Sequence, residues 1–234
     1  MNNQEIGELD ARIEAHPGKR ILGALAAYTF SRGIFSGNAQ ELSRLATQFE
    51  DLRDPLKIEG VDRHARLDSQ FGELARRLHN FAAGGKTIVD HTKMLLNEDF
   101  VTGAFRDEQR ECMEAIFGRE PLPKFVQELR NHVVHNGLPR FSLEWTFEPQ
   151  GKMLTLDLDG LVAERNWSAP ARSYMVAHMP SVRVLDLVSS YEQQVNSFHS
   201  HFFESFKFHF RNSVEEVIRL ITELNVACVK VQSG

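Results

Sequence analysis

Arg130 and His135 stand five residues apart with Asn131 between them, and together they carry what is needed to act on a phosphodiester without a metal. Arginine stays charged at physiological pH and presents a planar fork to phosphate oxygens. Histidine gives or takes a proton near neutrality, and asparagine can orient either group. RNA cleavage through the ribose 2′-hydroxyl requires a base for that hydroxyl, an acid for the leaving 5′-oxygen and positive charge beside the phosphorane; a positioned proton transfer is typically worth ~10²–10⁴ in rate. Two other clusters invite chemistry and fail on spacing. Gly84-Gly85-Lys86-Thr87 would need a glycine where Asn80 stands, and a preceding strand, to be a phosphate-binding loop. His199, His201 and His209 crowd an aromatic stretch, but the first two face different ways on a helix and no further Asp, Glu or His completes a ligand set. They read as solvated histidines around an aromatic core, so neither a metal nor a cofactor is expected. His16, before Pro17, is expected at the surface, and His64, His79, His91 and His178 at the surface or half-buried.

The element that positions the Arg-Asn-His set is the stretch PLPKFVQELRNHVVHNGLP, Pro121 to Pro139, which reads as one short helix. Pro121 and Pro123 suit a helix entry, where the missing amide costs nothing. Gly137 and Pro139 suit the exit, which places the end near Asn136. Leu122, Phe125, Val126, Leu129 and Val133 recur at the spacing of a core-facing stripe, and Arg130, Asn131, Val134 and His135 fall opposite. His132 borders the apolar side, so the two histidines are expected to have different jobs, with His135 the outward one. Val134, apolar in the middle of the outward face, is most simply explained if a second copy of the helix covers it.

RNHVVH resembles the Arg-x4-6-His signature of HEPN domains, which carries a polar residue directly after the arginine, here Asn131. The resemblance implies a helical bundle that pairs two copies of the motif in one cleft and cleaves RNA without a metal. Arg130, Asn131 and His135 would be the catalytic residues; helix geometry, rather than the resemblance, places Val134 at the homodimer interface near the twofold axis. RNA is the implied substrate, and a toxin or defence role is a candidate setting. The tyrosine found two places after the histidine in the toxin branch that pairs with a nucleotidyltransferase antitoxin is absent, since Gly137 stands there. Some members of the family have lost activity. The alternative is therefore a non-catalytic HEPN-like module that binds RNA, a nucleotide or a protein partner, and a net charge of −5 leans toward it because it gives no general attraction to nucleic acid. Local positive charge is modest: Arg119, Lys124, Arg130 and Arg140 against Glu120 and Glu128.

The remaining chain must build the scaffold. With 42% hydrophobic residues in 234, it can bury a sizeable core, and no stretch reaches the ~20 apolar residues of a membrane span. Two distant cysteines, Cys112 and Cys228, read as buried apolar residues of a reducing compartment, and a polar start without signal-peptide features points to the cytoplasm. Residues 1–60 form an expected N-terminal layer of short helices broken at His16-Pro17-Gly18, Ser36-Gly37-Asn38 and Asp54-Pro55. Residues 61–234 form the expected HEPN-like bundle. Its two long antiparallel helices, about 62–97 and about 180–229, pair with each other, and Gly84-Gly85 marks a close helix crossing or a kink. Ser213 and Glu216 resemble a capping box, so the second long helix is expected to restart near Asn212. Phe141, Leu143, Trp145 and Phe147 alternate with polar residues, Pro149-Gln150-Gly151 turns, and the alternation resumes to Leu158. This predicts an inserted β-hairpin at about 140–158 beside His135. The fold class is thus all-α with an inserted hairpin, most simply as one compact unit.

Overall fold

The computed structural model describes residues 3–51, 63–135, 137–147, 150–164 and 167–232. The chain order is α1 (Asn3–Ala15), α2 (Pro17–Asp51), α3 (Arg63–Leu96), α4 (Gly103–Met113) with a π-helical turn over Glu114–Arg119, α5 (Pro121–His135), β1 (Phe141–Phe147), β2 (Gln150–Asp157), α6 (Leu158–Glu164), α7 (Ala169–His178), β3 (Ser181–Arg183), α8 (Val184–His209) and α9 (Arg211–Gln232). It is an all-α fold carrying a small antiparallel sheet. The expected breaks at Asp54-Pro55, Asn136 and Pro149 lie outside the described residues.

The helix at the centre is α2, where the sequence suggested two short ones. It runs unbroken for 35 residues through Ser36-Gly37-Asn38. A glycine inside a helix costs ~1 kcal/mol, a cost easily outweighed by the stripe Tyr28, Phe35, Ala39, Leu42, Ala46 and Phe49, all buried on either side of Gly37. Asn38 turns its amide onto α3, donating from Nδ2 to the Asn80 carbonyl at 3.1 Å.

α2 is apolar on more than one side and takes both long helices against it, so α3 and α8, which were expected to pair, touch around Tyr191, whose ring meets Phe81 edge-on at 5.5 Å, rather than packing along their length. α3 packs chiefly along α2, and α8 packs on another face of α2, antiparallel to it. Tyr28 stacks on His199, Arg32 Nε donates to Asn196 Oδ1 at 3.1 Å, and the Phe35 ring meets Tyr191 edge-on. The two glycines of α3 mark close crossings, and α3 continues through them. A Cβ on Gly84 would sit 3.2 Å from the Phe35 Cα, and one on Gly85 would sit 2.5 Å from the Tyr191 hydroxyl.

The α8–α9 junction falls at Phe210, earlier than Asn212, and Ser213 lies inside α9. Its carbonyl is packed so tightly under the start of α2 that a Cβ on Gly18 would meet it at 2.1 Å. His16 joins the same corner: Nδ1 accepts the Gly18 amide at 3.0 Å and Nε2 lies 3.3 Å from the Glu216 carboxylate. It is half-buried and helps fix α2 to α9, so it differs from the surface residue expected. α1 and α9 share a small core of their own, built from Leu9, Ile13, Val217 and Leu220.

β1 and β2 form the expected hairpin, pairing Phe141 with Leu156 through to Phe147 with Gln150. A third strand, β3, adds to β2 with Thr155 opposite Arg183. Leu154 and Leu156 face the core, and the hairpin seats through β2 on α2 and α8. Glu50, near the end of α2, ties the sheet down. Its carboxylate accepts the Leu154 amide at 3.1 Å and a two-pronged bond from Arg183, from Nε at 3.0 Å and from Nη2 at 2.5 Å.

Candidate functional site

α5 begins at Pro121 and ends at His135, as its prolines and Gly137 foretell. Gly137 has φ of +142°, a backbone region open mainly to glycine, and its amide reaches back to the His132 carbonyl at 3.3 Å, closing the helix end. Leu122, Phe125, Val126 and Leu129 are buried, and Val133 is half-buried. The stripe seats α5 against α3 and α7, where Phe125 stacks on Tyr174 at 4.9 Å. Glu128 reaches across to α7, accepting the Ser168 amide at 3.1 Å.

The two histidines part as expected. His132 is fully buried with its ring 5.9 Å from that of Trp167, whereas His135 is exposed. Arg130 is half-buried, and its Nη1 donates to Asn131 Oδ1 at 3.1 Å. Asn131 is exposed, and Val134 is 44% exposed between the arginine and the histidine. The three polar residues therefore share an outward face with Val134. Arg130 and His135 are five residues apart, which on an ideal helix is ~140° around the axis and ~7.5 Å along it. One copy thus holds the two groups apart on an open surface, on different sides of α5.

Of the four basic residues read from the sequence, Arg119 is committed to Glu111 in an ion pair. Arg140 is exposed and lines a groove of about 530 Å³ with Phe71, Leu138, Phe141 and Asp157, directly along the chain that leaves α5. The sequence signals did not single out this groove, because it forms only where the connection from α5 to β1 passes α3.

The three histidines of the aromatic stretch fall into two groups. His201 and His209 are exposed. His199 is buried, contrary to the expectation of a solvated ring: it lies between Tyr28, at 4.6 Å and nearly parallel, and Phe203, at 5.8 Å. Burial, followed by the nearby Arg32 guanidinium, pushes it down to about 4, so it is a neutral core residue at pH 7. Both cysteines are half-buried, not enclosed, and burial raises the Cys112 thiol. Among the described residues no three His, Cys, Asp or Glu side chains gather as a metal site, and no helix is long and apolar enough to cross a membrane. No family model matches the chain, and no curated protein or solved structure shows significant similarity to it.

Proposed function

We propose that the chain is a metal-independent endoribonuclease of the HEPN-like kind, acting through Arg130, Asn131 and His135 at a site shared between two copies. The observation that carries this reading is the sorting of one short helix. Its apolar stripe and His132 go inward, while the three residues able to treat a phosphodiester go outward around an exposed valine. Arg130 is preset by its bond to Asn131, and because its Nε is buried, its terminal Nη groups are what it can turn to phosphate oxygens. A twofold partner laid on this face supplies the missing wall, buries both copies of Val134 and brings two histidines to one cleft, one as base and one as acid. The Arg140 groove gives the strand a path away from the cleft, with Phe71 and Phe141 as its apolar sides.

Incubating purified protein with total RNA in excess chelator tests the reading. Cleavage that disappears in Arg130→Ala and in His135→Ala, each with a wild-type circular dichroism spectrum, supports it; cleavage unchanged in both variants refutes it. The net charge of −5 favours a second reading, a non-catalytic module that binds RNA, a nucleotide or a protein partner on the same face. Binding without cleavage in the same experiment selects it.

A further inference from the structure

Where α2 meets α3, two of its residues, Ala24 and Ala27, are too small to fill the space between the helices, and a slot of about 160 Å³ is left there. Met94 and Leu95 of α3 and the Tyr28 ring complete its apolar wall. That wall is preformed, since Tyr28 is buried and stacked on His199 at 4.6 Å. His91 and Glu98 of α3 are the polar residues that line the slot beside the Tyr28 hydroxyl.

Counting protons shows what these groups can still bind. The Ser31 hydroxyl is buried, 3.0 Å from the Ala27 carbonyl and 2.5 Å from His91 Nδ1. A carbonyl only accepts, so the single hydroxyl proton goes to Ala27, and Nδ1–H of His91 donates to Ser31 Oγ. His91 Nε2, on the opposite edge of the ring, is then an acceptor without a partner among the described residues. Thr92 Oγ1 lies 2.8 Å from the Ile88 carbonyl and 3.3 Å from the Tyr28 hydroxyl, so by the same count it gives its proton to Ile88 and receives that of Tyr28. Glu98 Oε2 accepts from Arg20 Nη2 at 3.0 Å, while its Oε1 has no partner among the described residues. Arg20 also pairs with Asp99, at 2.9 Å, which leaves one negative charge in excess at this end of the slot. The donors at the slot are thus committed, and two acceptors are open.

We propose that this slot binds a small one-ring primary amine that also carries a hydroxyl, its ammonium on Glu98 and its hydroxyl donating to His91 Nε2. Size fits the ring, since a cavity of ~150 Å³ takes benzene. Spacing fits the two donors. His91 and Glu98 are seven residues apart, nearly in line along α3 and ~10.5 Å from each other along the axis, so a ligand using both carries its donors at opposite ends. Charge excludes the carboxylate analogue, which would bring acceptors and a negative charge to a slot that offers only acceptors. None of these residues lies on α5, and the inference stands whether or not the chain cleaves RNA.

The test is calorimetric titration of the full chain with tyramine at neutral pH, beside phenethylamine, which lacks the hydroxyl, and hydroxyphenylacetate, which replaces the amine by a carboxylate. For a ligand of about ten heavy atoms, saturable one-to-one binding of tyramine is expected at about millimolar. Hydroxyphenylacetate should not bind, and phenethylamine should bind several-fold more weakly. Glu98→Gln, at the charged end, should weaken tyramine roughly tenfold. His91→Phe keeps a ring and removes the acceptor, so tyramine and phenethylamine should become equal. Ala27→Leu fills the slot from an exposed position of α2 and should abolish binding. Each variant should keep the wild-type circular dichroism. Absence of saturable tyramine binding to the wild type overturns the inference, as does hydroxyphenylacetate binding as well as tyramine. A folded Ala27→Leu of wild-type affinity, or a preference for tyramine that persists in His91→Phe, also overturns it.

Discussion

Replacing His199 by Phe should flatten the dependence of stability on acid by about 1.5–2 kcal/mol between pH 7 and pH 5. His199 sits in the ring stack of Tyr28 and Phe203, neither of its nitrogens has a hydrogen-bond partner among the described residues, and the charge nearest it is the positive Arg32. Protonation there would bury an uncompensated cation, which is why the ring titrates at about 4, below the ordinary 6.5. The sign follows from proton counting. Between those two values the unfolded chain binds a proton that the folded chain refuses, so stability rises with pH across the window and is lost as pH falls from 6.5 toward 4. At pH 5 the unfolded histidine is almost fully protonated and the folded one is mostly neutral, a difference of ~2 kcal/mol, against ~0.2 kcal/mol at pH 7. Phenylalanine keeps the stack and removes the titration. Urea titrations of both proteins at the two pH values, followed by tryptophan fluorescence and circular dichroism together, give the double difference, in which the carboxylates and other histidines cancel. At a slope of ~2–3 kcal/mol per molar urea, the wild-type midpoint should fall ~0.5–1 M further than that of the variant. Equal falls would show that His199 is not held neutral in the stack.

Three further outcomes follow from packing. Gly85→Ala should destabilise by ~1–3 kcal/mol because its Cβ would meet the buried Tyr191, whereas Gly23→Ala, with nothing within 4 Å, should stabilise by ~0.4–1 kcal/mol; thermal melts compare them. Glu50→Ala should cost ~1–3 kcal/mol and loosen the sheet, since it leaves the Leu154 amide without its acceptor and Arg183 with Asp186 alone, read as earlier urea unfolding with the helical signal retained. His132→Ala should cost ~2–4 kcal/mol by opening a cavity beside Trp167, while His135→Ala changes stability by less than ~0.5 kcal/mol and abolishes any RNA cleavage.

The parts of this architecture that local rules determine were legible in the sequence. α5 is punctuated by its own prolines and Gly137, the hairpin by strict alternation, and the close crossing on α3 by paired glycines. The segregation of Arg130, Asn131 and His135 from the stripe, and of His135 from His132, also follows from 100° geometry alone. What escaped depends on distant partners. Ser36-Gly37-Asn38 looks like a break until Phe35 and Ala39 are seen packed on both sides of it. β3 is three residues long, too short to alternate, and exists because β2 offers it an edge. The pairing of α3 with α8 seemed natural because both are long, but each packs chiefly along α2, and the two meet only locally, around Tyr191. His199 is the instructive miss: it lies four residues after Val195 and three before Phe202, on their face of α8, so the apolar period already pointed inward. A polar residue type outweighed that signal.

The small core shared by α1 and α9 bears on how the molecule comes apart. Leu9, Ile13, Val217 and Leu220 pack with one another, separately from the large cluster that unites α2, α3, α5, α7, α8 and the sheet. Four buried side chains can hold only a fraction of the free energy of the whole, so this helix pair should open by itself, as a cooperative unit of lower stability. Amide hydrogens of α1 and of the outer turns of α9 should therefore exchange well before those of α2. The seam of this opening should lie at Gly18, where the Ser213 carbonyl meets the first turn of α2.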